Sequence, residues 1–234
     1  MPVNRLVLLP GLDGTGQLFA DFVAALPTPV VTSRVAFPCT TFLPYAELVS
    51  EVGAAAPRDS PFVLLAESFS TPLAIEYAAT KPPDLRGLVL CAGFVRNPVG
   101  RVSFLVGAFA RPWIFRMRPP AFVLRHFLAG AQATPRLIDS IRHTLKSVKP
   151  EVLSARVQEV LHSDARKALR QISIPVMYLG ATNDRLVPPA SLAEILSVRP
   201  EVLFATIQAP HMILQREPKR AADLVVGFLH GLDA

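Results

Sequence analysis

Apolar residues recur along the chain in six short runs, at 7–10, 30–37, 62–66, 88–92, 176–180 and 202–207. Each holds about four to six apolar positions, several of them β-branched, without regular polar alternation. That pattern predicts strands buried on both faces of a parallel sheet. Between the runs, apolar residues return at helical spacing: Leu18, Phe22, Ala25 and Leu26, then Leu48, Val49 and Val52, then 73–79, then Leu192, Ile195 and Leu196, and finally 221–229. Pro188, Pro189 and Pro218 fall where later helices would begin, where a missing N–H costs little. Strand–helix alternation of this kind predicts stacked βαβ units and an α/β fold.

One stretch breaks the alternation. From 97 to 168 only helical patterns occur, over about 101–116, 119–129, 135–147 and 150–163, cut by Pro119, Pro120, Pro135 and Pro150. The expected organisation is a core of 1–96 and 169–234 carrying an all-helical insertion, 97–168, between the fourth and fifth strands.

Composition narrows the class. Of 234 residues, 51% are hydrophobic and 18% charged, which excludes a disordered chain. The two cysteines, Cys39 and Cys91, exclude a disulfide framework and a cysteine-based zinc site. Both adjoin apolar strand ends and read as buried thiols. The opening apolar run is too short for a signal peptide, and no stretch approaches the roughly 20 apolar residues of a membrane span, so a soluble, cytoplasmic protein is expected.

Charge is uneven. The net charge is +6, yet between Arg96 and Pro150 ten basic residues face one acid, Asp139. Concentration in the insertion argues against a chain-wide nucleic-acid surface. Arg101, Arg111, Arg116, Arg118 and Arg125 occupy two successive helical patterns with no acid between them. They read as a solvated face, with weak contact to an anionic membrane surface, or to a phosphate-bearing acyl donor, as the alternative.

Candidate chemistry gathers at strand ends. The third strand runs into Glu67-Ser68-Phe69-Ser70 and then a helix. The residues two before and two after Ser68, Ala66 and Ser70, are small, as a tight strand-to-helix nucleophile elbow requires. Such a turn raises the hydroxyl above the carboxyl ends of the strands and aims the N–H groups of the next helix at an oxyanion. Alone, the motif fits equally well a serine that caps a helix. The glycine-rich loop 10–16 after the first strand can bring the Leu12 N–H toward Ser68. Asp184 follows the fifth strand and His211 the sixth. In a parallel sheet all these loops open on one edge, where α/β proteins bind ligands. His126, His143, His162 and His230 lie in helical patterns and read as packing or solvated residues. Asp164, at the end of the insertion, is the rival to Asp184. Asp13 reads as a turn or capping residue, and Glu67 as a hydrogen-bonded carboxylate beside the serine.

The order Ser…Asp…His, the elbow, the glycine-rich loop and a helical segment after the fourth strand resemble the α/β-hydrolase fold superfamily over essentially the whole chain. The Leu-Pro-Gly-Leu-Asp-Gly-Thr-Gly start and the Glu-Ser-Phe-Ser elbow are similar to small bacterial esterases and plastid acyl-ester enzymes. The resemblance implies a minimal six-stranded parallel sheet with helices on both faces, and 97–168 as a lid. It implies Ser68 as nucleophile, His211 as general base, Asp184 as the group orienting His211, and the Leu12 and Phe69 backbone N–H groups as an oxyanion hole. It implies no metal and no organic cofactor, and a small-molecule ester of short to medium acyl chain as substrate. Acyl transfer or thioester cleavage by the same triad is the alternative.

Two departures stand out. Both elbow glycines are replaced, and the oxyanion loop opens with Pro10-Gly11 where the superfamily has His-Gly, which leaves the loop's anchoring open. A nucleotide-binding reading of Gly11-x-x-Gly14-x-Gly16 meets the wrong glycine order and Arg34, rather than an acid, on the next strand. A non-catalytic binder would not need the triad. Phe104, Phe109, Trp113, Phe115, Phe122 and Phe127 are expected to pack the lid onto the core, some roofing an apolar acyl pocket.

Overall fold

A computed structural model of the protein describes residues 3–100, 103–117 and 119–232. The six apolar runs become β1 (Arg5–Leu9), β2 (Val31–Arg34), β3 (Phe62–Glu67), β4 (Leu85–Cys91), β5 (Val176–Ala181) and β6 (Leu203–Ile207). They form one parallel sheet in the order β2-β1-β3-β4-β5-β6. The chain moves outward from β1 to β2, then returns to β3 on the other side of β1. The strand order therefore reverses between β1 and β3, and the loops leaving their carboxyl ends diverge there to open a crevice.

Successive side chains of a strand point to opposite faces, so the sheet has two cores. Val7, Leu9, Leu64, Ala66, Leu88 and Leu90 face α2 (Tyr45–Ala55), α3 (Ser70–Ala79), α9 (Arg166–Gln171) and α10 (Ala190–Val198). Leu6, Leu8, Val63, Leu65, Val89 and Cys91 face α1 (Ala20–Ala25), α11 (Ile213–Arg216) and α12 (Pro218–Gly231). Every position of β3 is buried. Truncating Leu64 or Leu65 to Ala would cost about 2–5 kcal/mol, a large share of a net stability of about 5–15 kcal/mol.

The edge strands depart from the expectation of burial on both faces. Val31 of β2, and Leu203 and Phe204 of β6, are 51%, 58% and 60% exposed. A strand at the edge has a neighbour on one side only, and the covering helices centre on the middle of the sheet. Cys91 is buried as expected, but Cys39 is only partly so.

Between β4 and β5 lie α4 (Ser103–Phe109), α5 (Pro112–Arg116), α6 (Ala121–Leu124), a π-helical turn (Arg125–Ala129), α7 (Pro135–Lys146) and α8 (Pro150–His162), followed by α9. The helix expected over 101–116 is broken at Ala110–Arg111, because Pro112 has no N–H to continue the ladder and instead starts α5. Thr134 caps α7, its Oγ1 accepting from Leu137 N at 3.2 Å. The aromatic expectation is overturned for most of these residues. Phe109, Trp113, Phe122 and Phe127 are exposed, and of the six Phe115 packs against Val148, Val152 and Leu153. Helices of four to seven residues present too narrow a face to bury every ring they carry. The Phe104 side chain, Arg101 and Arg118 lie outside the described residues. Arg116 is not free of acids: it pairs with Glu151 of α8 at 2.7 Å. Among the described residues no helix is long and apolar enough to cross a membrane.

Candidate active site

Ser68 occupies the turn between β3 and α3 with φ at +49°, a left-handed conformation that costs a non-glycine residue about 1–2 kcal/mol. Its neighbours hold it there. Ser68 N donates to Cys91 O at 2.9 Å, and Thr71 N and Thr71 Oγ1 donate to Ser68 O at 3.0 and 2.8 Å. The Tyr45 hydroxyl donates to Phe69 O at 2.6 Å. Ser70, which stands where a glycine was expected, is fully buried and its hydroxyl donates to Pro10 O. It therefore fits a tight turn and also ties the elbow to the loop after β1, a second role that size alone did not signal.

His211 follows β6 and Asp184 follows β5. The two loops are laced together by Thr182 N to Ile207 O at 2.9 Å and Asn183 N to Ala209 O at 3.0 Å. His211 Nδ1 lies 2.7 Å from Asp184 Oδ2, and Nε2 lies 2.9 Å from Ser68 Oγ. A carboxylate only accepts, so Nδ1 carries the proton and donates to Asp184, which leaves Nε2 to accept from the Ser68 hydroxyl. Asp184 Oδ1 accepts from Leu186 N and Val187 N at 2.8 and 2.9 Å, so both carboxylate oxygens are held. The His211 and Asp184 side chains are 6% and 4% exposed. The other four histidines are exposed. Asp164 is spent elsewhere, paired with Arg166 at 2.5 Å on the surface, and that hydrogen bond holds its carboxyl below the usual range.

Leu12 and Phe69 line the same cavity as Ser68 and His211, and among the described residues neither N–H has a protein acceptor. The cavity is about 310 Å³. Its roof is aliphatic rather than aromatic, with Val106, Leu128, Ile141, Leu145, Val157 and Leu161 coming from the helical segment. An apolar chamber with a few polar groups converging on one end suits an acyl chain whose carbonyl must be oriented. Among the described residues no group of three or more His, Cys, Asp or Glu side chains could hold a metal ion.

Two carboxyls lie buried beside the serine. Asp13 Oδ1 accepts from Thr15 N at 2.9 Å and Thr15 Oγ1 at 2.5 Å, a turn-forming arrangement, and burial raises its pKa against those bonds. Glu67 Oε1 accepts from Gln215 Nε2 at 3.1 Å. Burial pushes the Glu67 carboxyl up to about 7, opposed by the Gln215 bond and by His211, and reinforced by Asp13. Gln215 lies in α11, just past His211, and its sequence carries no signal of this contact.

The chain is similar to known proteins over most of its length. A family profile described as serine aminopeptidase, S33 (Hydrolase_4) matches residues 45–215. A pimeloyl-[acyl-carrier protein] methyl ester esterase of Xanthomonas oryzae pv. oryzae is 31% identical over 222 residues, covering 86% of this chain and 85% of its own. The fold is similar to that of a hydrolase from Oleispira antarctica, with TM-score 0.83 and 14% identity over 97% of this chain and 91% of that one. An enol-lactonase from Burkholderia xenovorans aligns with TM-score 0.79 and 17% identity over 98% and 92%.

Proposed function

Since the chain belongs to the serine aminopeptidase, S33, family of α/β hydrolases, we propose that it hydrolyses carboxylic esters with Ser68, His211 and Asp184 as its catalytic triad. The observation that carries this reading is the unbroken hydrogen-bonded line from Asp184 through His211 to Ser68, at 2.7 and 2.9 Å. Ser68 Oγ attacks the ester carbonyl carbon as His211 Nε2 takes its proton, and Asp184 stabilises the imidazolium. The developing oxyanion accepts from the Leu12 and Phe69 N–H groups. His211 then returns the proton to the leaving alkoxide, and the alcohol departs from an acyl-Ser68 enzyme. Water attacks that ester, gives its proton to His211, and the acid leaves with Ser68 reprotonated.

In this reading residues 97–168 are a lid over a core of 1–96 and 169–234. The aliphatic chamber of about 310 Å³ supports a short- to medium-chain acyl group. The Xanthomonas relative supports a methyl ester whose acyl chain is held by a carrier protein. Exposed Arg111 and Arg136, with Arg125 partly exposed, support an acidic macromolecular carrier for that chain. A fluorophosphonate should label the protein once, at Ser68, and methyl and p-nitrophenyl esters of rising chain length should give a rate maximum at short to medium length. Labelling of Ser68→Ala at the wild-type rate would overturn the nucleophile. A sharp rate rise above the critical micelle concentration of a long ester would overturn the chain-length reading.

A further inference from the structure

The replacement of His-Gly by Pro10-Gly11 leaves open what holds the loop that carries Leu12, and a residue 144 positions away answers it. Arg156 of α8 is 2% exposed, in contrast to the exposed arginines elsewhere on the helical segment. Its Nη1 donates to Leu12 O at 2.9 Å and to Asp13 O at 2.8 Å, and its Nη2 donates to Pro38 O at 3.0 Å. The guanidinium also lies over two rings, with Cζ 5.8 Å from the Phe37 centroid and 5.9 Å from the Phe69 centroid. Among the described residues no carboxylate stands within ion-pair distance of it. A buried cation without an ion-paired carboxylate is costly, and here three carbonyl oxygens and two ring faces offset that cost.

These contacts converge on both residues read above as oxyanion donors. Arg156 fixes the peptide planes on the far side of Leu12 and packs on the ring of Phe69. It also fills the space beside Gly14, where an added Cβ would stand 2.7 Å from Cζ and Nη2. Gly14 N in turn donates to Gly11 O at 3.0 Å. Gly11 O and the Leu12 N–H belong to one trans peptide and point in opposite directions. Holding the oxygen toward Gly14 therefore holds the N–H away from it.

We propose that Arg156 is a positioning residue that anchors the oxyanion hole from the helical segment, so that α8 and the loop after β1 act as one unit. The proposal rests on the reading of Leu12 and Phe69 as oxyanion donors. A lysine cannot replace the arginine, because a single ammonium cannot present the planar fork that reaches two stretches of backbone and stacks on two rings.

The test compares wild type, Arg156→Ala, Arg156→Lys and Ser68→Ala on p-nitrophenyl butyrate, with folding checked by circular dichroism. In Arg156→Ala, kcat should fall about 100-fold, the loss expected for one oxyanion donor, while KM moves less than about threefold. Affinity for a trifluoromethyl ketone, which forms a hemiketal oxyanion on the serine, should fall in parallel. Affinity for the product butyrate should not. Millimolar guanidinium should restore part of the kcat of Arg156→Ala, and Arg156→Lys should lose at least about tenfold. A purely structural role would reduce the folded fraction and leave the ratio of ketone to butyrate affinity at its wild-type value. That ratio unchanged in folded Arg156→Ala overturns the proposal. If Arg156→Ala does not fold, wild-type kcat and ketone affinity in Arg156→Lys overturn it instead. Turnover surviving in Ser68→Ala strikes at the triad itself, a failure visible without either Arg156 variant.

Discussion

Glu67→Gln isolates the energetic consequence of placing a carboxyl beside Ser68 in a buried setting. In the folded protein burial raises this group from an ordinary 4.5 to about 7. Between those two values the unfolded chain releases the Glu67 proton while the folded chain keeps it. The folded state binds more protons, so stability is fully present below pH 4.5, falls as pH rises toward 7, and is flat beyond. The gap corresponds to about 3 kcal/mol lost across the window. Glutamine has nearly the same shape, can still accept from Gln215 Nε2, and does not titrate. Relative to wild type, Glu67→Gln should therefore gain about 3 kcal/mol between pH 4.5 and pH 8, or roughly 6–12 °C in Tm for a chain of this size. The groups facing Glu67, namely Gln215, His211, Asp13 and Cys91, act on its carboxylate, and those couplings are already contained in the value of about 7 and leave with the charge in Glu67→Gln. Urea unfolding of both proteins at half-unit steps from pH 4.5 to 8.5 reads the difference directly. Parallel stability curves would refute the reasoning, because they would mean that the Glu67 carboxyl is hydrated or charge-compensated in the folded state.

Asp184→Asn should lower kcat about 10³–10⁴-fold with little change in KM, because the amide no longer favours the His211 tautomer that accepts from Ser68. Asp164→Asn should keep the wild-type kcat, and the reverse outcome in steady-state kinetics would reassign the carboxylate. The KM for a carrier-bound methyl ester should rise between 0.01 and 0.15 M salt, as the screening length shrinks from about 30 to about 8 Å, while the KM for an uncharged nitrophenyl ester stays constant. Equal salt responses would remove the exposed arginines from substrate recognition.

Strand identity was legible in the sequence because it depends on neighbours a few positions away. A short unbroken apolar run such as 62–66 fits a strand buried on both faces, and β3 is buried throughout. The same local signal at 30–37 and 202–207 could not say that these strands lie at the edges, since edge or centre is a property of the sheet order and not of the run. Proline marks the starts of α7 and α8, whereas the break before Pro112 is hidden because the apolar spacing continues across it. Ser68, Asp184 and His211 could be nominated from their places after strands, because a parallel sheet brings those loops to one edge. Which carboxylate meets His211 was decided by tertiary contact, with Asp164 captured by Arg166 and Asp184 held by two backbone N–H groups. Burial of charge was invisible along the chain. Arg156 reads like any helical arginine, and Glu67 like any acid at a strand end. Only the packing of α8 against the loop after β1, and of α11 against β3, removes both from water, and desolvation is set by everything that surrounds a side chain rather than by its sequence neighbours.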